Sequence, residues 1–69
     1  MMETFDFQEA LSCIEADMPV CLNIGGKERK YFLKEGEIMC TPNGKEHLTY
    51  KVKQFQIDAV MSKEWRLCE

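Results

Sequence analysis

The sequence predicts an α+β domain: an N-terminal amphipathic helix packed on a small antiparallel β-meander, with a short C-terminal helical turn and a closing strand. Three observations carry this. Apolar residues recur with a helical period from Phe7 to Met18, then alternate with the period of strands from Val20 to Val52, and three glycine-containing turn signals punctuate the alternating part. With 69 residues the chain makes one domain, 1–69. A chain this short buries only about 60% of its unfolded surface, so it depends on every large apolar side chain it owns.

The helix opens on Asp6-Phe7-Gln8-Glu9, which has the form of a capping box: the Asp carboxylate satisfies early backbone amides and the Glu reaches back. Phe7, Ala10, Leu11, Ile14 and Met18 follow at spacings that place them within a stripe of about 100°. Glu9, Ser12, Cys13 and Ala16 fall on the other side. Pro19 ends the helix, because the residue before a proline is driven out of the helical region; the expected span is Phe7 to Asp17.

Val20 to Ile24 alternates Val, Leu and Ile against Cys and Asn, the signature of a half-buried strand. Gly25-Gly26 permits a tight turn into a second strand at Lys30 to Leu33, with Tyr31 and Leu33 on one face and Phe32 on the other. Phe32 is thus either under a second layer or a contact residue. Lys34-Glu-Gly-Glu37 signals another hairpin, Glu37 to Thr41 a third strand, and Asn43-Gly44 the strongest turn, since that pair favours the type I′ twist. Glu46 to Lys53 sets Leu48, Tyr50 and Val52 against His47, Thr49, Lys51 and Lys53, which reads as a fourth strand. Phe55 to Glu69 reads as one helical turn, holding the apolar run Ile57, Val60 and Met61, followed by the closing strand. It contains the single tryptophan, Trp65, whose burial is worth several kcal/mol and makes it the keystone of the core. The exposed edges of such a sheet favour a homo-oligomer, formed through a sheet edge or the helix.

The net charge of −3 argues against a general nucleic-acid binder. Its distribution is more informative. Residues 1–19 hold five acids (Glu3, Asp6, Glu9, Glu15, Asp17) and no base, whereas residues 20–56 hold seven bases (Lys27, Arg29, Lys30, Lys34, Lys45, Lys51, Lys53) against four acids. These are two solvated faces of opposite sign, or a basic patch for an anionic small molecule, or an acidic helix offered to a basic protein groove.

The four cysteines include no C-x-x-C pair and sit in element-like runs, so all four are expected as reduced thiols in a cytoplasm. The lone His47 has no Cys or His within six residues, which leaves no metal site. No run of 18 apolar residues is present, so no membrane span is expected. Neither serine lies in a glycine-rich elbow, acids surround Cys13, and no carboxylates are paired in an apolar setting. The chain is therefore expected to be no enzyme and to carry no catalytic residue and no cofactor.

Phe7-Gln-Glu-Ala-Leu11, the strand from Val20, the segment Gly26-Lys-Glu-Arg-Lys-Tyr-Phe-Leu33 and the tail from Phe55 through Trp65 stand in the order found in the Thoeris anti-defence family of small phage and prophage proteins. The chain resembles a short variant of that family over most of its length. The resemblance implies a non-catalytic counter-immunity protein of the host bacterial cytoplasm, often oligomeric, that sequesters a cyclic nucleotide-like immune signal. Many members carry basic residues and a Trp after the first strand, where this chain has Cys21, Leu22, Asn23 and Ile24. A nucleotide would then fall to Lys27, Arg29 and Lys30, with Tyr31 or Trp65 as ring surface. The alternative function is an anti-CRISPR-type inhibitor that blocks a defence nuclease through the acidic helix face of Glu9, Glu15 and Asp17. A third is an accessory phage protein with no immune role. The expected partner is accordingly a nucleotide-like small molecule or a bacterial defence protein, with no direct nucleic acid and no membrane.

Overall fold

The computed structural model describes residues 3–68. In chain order the elements are α1 (Phe7–Glu15), β1 (Val20–Ile24), β2 (Lys27–Lys34), β3 (Glu37–Pro42), a 3-10 turn at Glu46–Leu48, β4 (Tyr50–Lys51), α2 (Ile57–Met61) and β5 (Arg66–Leu67). The strands form one antiparallel sheet ordered β4-β3-β2-β1-β5. Phe5 adds an isolated bridge to Trp65, with backbone bonds of 2.8 and 3.2 Å between the two residues. The α+β arrangement expected from the sequence is the one observed.

The first helix starts as its capping sequence dictates: Asp6 is extended and its carboxylate accepts the Glu9 amide at 3.0 Å. It ends earlier than expected, at Glu15, and not because of Pro19. Asp17 turns into the left-handed region (φ 63°), its amide donates to the Ile14 carbonyl, and the Met18 amide donates to the Cys13 carbonyl. That pair of bonds is the Schellman closure, with an Asp where glycine is usual. The closure swings Met18 off the apolar stripe, and it is exposed. Ala10 and Ile14 are buried, Phe7 and Leu11 half-buried, and Cys13, expected on the polar side, is half-buried against the core.

Alternation places Val20, Leu22, Tyr31 and Cys40 on one face of the sheet, beneath α1 and α2, with Trp65 among them. Trp65 has no accessible surface, and its indole N–H donates to the Ala59 carbonyl at 3.0 Å. Its ring lies 5.0 Å from that of Tyr31, and Phe55 and Phe7 pack edge-on at 4.9 Å beside them. These offset and edge contacts are the preferred aromatic geometries. In α2 it is Ala59 that turns inward, so the apolar run Ile57, Val60 and Met61 is exposed. A five-residue helix that buries its one small residue has no width left for a larger inward stripe.

The opposite face carries Cys21, Lys30, Phe32, Met39 and Thr41, and among the described residues neither α1 nor α2 packs on it. Phe32 therefore lies under neither of these helices. It is half-buried opposite Met39, with the Lys30 ammonium 5.8 Å from its ring centroid.

Two sequence expectations need correcting. The first is the redox state of the cysteines: Cys21 and Cys68 form a disulfide, their Cα atoms 5.4 Å apart, while Cys13 and Cys40 are free. Cys68 is two register positions from Cys21 on the neighbouring strand, and the Cys68 amide donates to the Pro19 carbonyl at 3.1 Å. The second is the fourth strand. Asn43 and Gly44 do take the positive φ values a type I′ turn requires (31° and 73°), but the chain then winds through the 3-10 turn before pairing at Tyr50. His47 is exposed on that turn, and Leu48 is also exposed, so the period-2 pattern of this stretch describes a strand over only two residues.

Candidate functional site

The hairpins β1–β2 and β2–β3 bring basic residues to one end of the sheet. Lys27 and Arg29 alternate with Glu28 and Lys30 along β2, so the first two share the helix-covered face and the latter two the open face. The turn after β3 carries Lys45 to the same end. Lys27, Arg29 and Lys45 line a notch of about 330 Å³ with Pro42, Asn43, Leu48 and Tyr50 as its remaining walls and Glu28 at its margin. Leu48 and Tyr50 are about half accessible, so the notch offers apolar and aromatic surface as well as charge.

Arg29 is the organising cation. Its Nη1 donates to the Gln56 side-chain oxygen at 3.4 Å, tying the notch to the start of α2. Burial pushes the Tyr31 phenol up to about 12, the Cys40 thiol adds to the rise, and Arg29 opposes it. Tyr50 is raised by a hydrogen bond with the Cys40 thiol and then by burial, with Arg29 again opposing. Both phenols are therefore neutral donors at neutral pH, and the positive charge of the notch is not offset by a phenolate. The one carboxylate at the margin, Glu28, is ion-paired to Arg66 of β5. The register turns that carboxylate and its partner to the open face, away from Lys27 and Arg29.

The ligand residues expected from the sequence do not assemble. Lys27 and Arg29 meet in the notch, but Lys30 stands on the open face. Tyr31 is 3% exposed and Trp65 0%, so neither ring is open to a ligand; the core claims both because they are the largest apolar surfaces near the sheet centre. Lys45 and Tyr50 join Lys27 and Arg29 in the notch instead. Alternation groups Tyr50 with Leu48 and Val52 on the apolar side of a strand, but β4 begins only at Tyr50 and its ring is exposed at the margin of the sheet.

Nor do the acids of α1 form one stripe. Glu9, Glu15 and Asp17 are all exposed, but six residues of helix set Glu9 and Glu15 about 120° apart around the axis. Asp17 lies beyond the helix, in the closure.

On the open face a second depression, about 360 Å³, is lined by Lys30, Phe32, Lys34, Met39, Thr41, Glu46 and Thr49. The Thr41 and Thr49 hydroxyls bond each other at 2.8 Å there, and Glu46 faces the lysines, so this surface is closer to neutral than the notch. Among the described residues no three His, Cys, Asp or Glu side chains gather as a metal site, and no helix is long and apolar enough to cross a membrane. Comparison with protein-family models, with curated proteins and with solved structures found no match.

Proposed function

We propose that the domain is a non-catalytic binding protein that captures an anionic, ring-bearing small molecule of the nucleotide class in the notch of Lys27, Arg29, Lys45 and Tyr50. One observation carries this: Lys27, Arg29 and Lys45 line one notch with the accessible ring of Tyr50. Phosphate groups suit the convergent cations, Arg29 above all because its planar fork matches phosphate oxygens, and a base suits the Tyr50 ring. Taken with the resemblance to Thoeris anti-defence proteins, the ligand would be a cyclic nucleotide-like alarm molecule and the role its sequestration in a bacterial host, with the protein acting as an oligomer.

Calorimetry against a panel of cyclic nucleotides tests the reading. Binding is expected, weakened at least tenfold by K27E or R29E and less by Y50A, and falling with added salt. K30E, on the other face, should have the smaller effect. Silence across the panel would overturn it.

The exposure of Glu9, Glu15 and Asp17 keeps the second reading alongside, a protein inhibitor that offers α1 to a basic groove. Their spread around the helix makes the first reading the stronger. Reversal of these three acids would abolish inhibition of a nuclease and leave nucleotide binding intact.

A further inference from the structure

We propose that the chain assembles with copies of itself head to tail, the outward side of α2 in one copy seating in an apolar groove between α1 and the β2–β3 hairpin of the next. The inference is independent of what the notch binds. Two surfaces carry it, one convex and one concave.

The convex surface is α2. Ala59 is its buried residue, so at about 100° per residue Ile57 and Met61 lie within about 20° of the pole opposite it and point directly away from the core. They are 73% and 74% exposed, the two most exposed large apolar side chains among the described residues, and Val60 flanks them at 44%. A chain of this length has little apolar surface to spare, and a cluster of this kind left in water marks a contact surface.

The concave surface is a groove of about 470 Å³ lined by Leu11 and Glu15 of α1, Leu33 of β2, Ile38 of β3 and Gly36 in the turn between the two strands. Leu33 and Ile38 are cross-strand partners, and Leu11 and Glu15 stand one turn apart on α1. The walls are therefore three half-buried apolar side chains, with one exposed carboxylate at the rim. Gly36 adds no side chain, which leaves the hairpin end of the groove open.

Fit and charge together select a second copy as the occupant. Two five-residue helices meeting face to face would set convex against convex and bury little of either. The groove instead receives Ile57 and Met61 between apolar walls. Lys63 is exposed two residues past Met61, and Glu15 is exposed at the groove, so the seated α2 carries a cation to the carboxylate. Because the two surfaces differ, the contact is heterologous: a dimer still presents one unfilled groove and one free α2, and assembly continues past it.

Sedimentation velocity from about 10 μM to about 1 mM, the range suited to a contact this small, tests the proposal. Wild-type protein should pass from monomer through dimer to larger species. I57D/M61D and L11E should each remain monomeric, with the blue emission of buried Trp65 showing that each is folded. Mixed in equal amounts they should form a dimer and nothing larger, because the mixture pairs one intact α2 with one intact groove. K63E and E15K, both at exposed positions, should each weaken assembly about threefold to tenfold, and E15K/K63E should recover it; these variants test the groove should L11E lose the fold. Wild-type protein that stays monomeric throughout would overturn the proposal. Assembly that folded L11E leaves unchanged would also overturn it, assigning α2 to a symmetric self-contact. So would two folded monomeric variants that fail to dimerise when mixed, or an E15K/K63E variant no better than either single one.

Discussion

The sheet ends in two strands of equal length, β4 and β5, each of two residues, yet they are held by different means. Strand β5 is flanked by a side chain with no accessible surface on one side, Trp65, and by a disulfide on the other. Strand β4 has neither. It rests on the Thr41–Thr49 hydroxyl pair, the Val52 amide bonded to Ile38 and the exposed Lys51–Glu37 ion pair. Two paired residues give too few backbone bonds to define an edge, so the neighbouring side chains decide which edge is fixed and which is loose. The fixed edge holds the Arg66–Glu28 pair on the open face, and the loose edge supplies Tyr50 to the notch.

The largest effect should come from Trp65→Ala. It removes the largest buried side chain and one of the two donors to the Ala59 carbonyl, a cost of about 3–5 kcal/mol. A domain of this length has roughly 3–10 kcal/mol in total, so urea titration should find much of the variant unfolded in buffer. A folded variant within 1 kcal/mol of wild type would show that the disulfide alone holds the β5 edge.

Next in size is the disulfide. It closes a loop over a separation of 47 residues, for which chain entropy gives about 4 kcal/mol as an upper figure. The double variant C21S/C68S should lose about 2–4 kcal/mol, and amide exchange should accelerate at Arg66 and Leu67 before Tyr50 and Lys51. The reverse order would invert the ranking of the two edges.

The contrast between the edges also marks what could be read from the sequence. The helix was legible because Phe7, Ala10, Leu11 and Ile14 repeat at its period and Asp6 caps it; the first three strands were legible because glycine-containing turns bound them. These are local signals. The disulfide was not legible, because nothing near Cys21 encodes a partner 47 residues away, and the two meet only once the sheet order places β5 beside β1. Strand β4 was misread for a related reason. Alternation from Leu48 to Val52 is compatible with a strand, but pairing depends on how far the preceding 3-10 turn carries the chain. Of the candidate site, Lys27 and Arg29 could be found from charge; Tyr50 could not, because its exposure follows from the weak β4 edge and not from its neighbours in sequence.

A third prediction acts on the loose edge through pH. The Tyr31 phenol is pushed up to about 12, above its ordinary value near 10, so the fold favours the neutral form. Its contribution is complete below about pH 10 and is lost as the pH rises through about 12, amounting to about 2–3 kcal/mol. Tyr50 is raised in the same direction. Thermal melts between pH 8 and 12 should therefore show steep alkaline destabilisation, with Tyr50 and Lys51 amides exchanging first. Tyr31→Phe should flatten most of that slope. An unchanged slope would place the titrating group elsewhere.

The smallest effect separates the two polar supports of β4. Lys51 and Glu37 pair at 2.8 Å with each side chain about half accessible, so screening and side-chain entropy leave the pair worth roughly 0–0.5 kcal/mol. Thr49 bonds Thr41, which is 8% exposed, and its replacement by Val strands that hydroxyl at a cost of about 1–2 kcal/mol. Denaturant midpoints should therefore barely move for Lys51→Ala and fall measurably for Thr49→Val. A larger loss for Lys51→Ala would make the ion pair, and not the hydroxyl pair, the support of this edge, and the loss should then shrink in high salt.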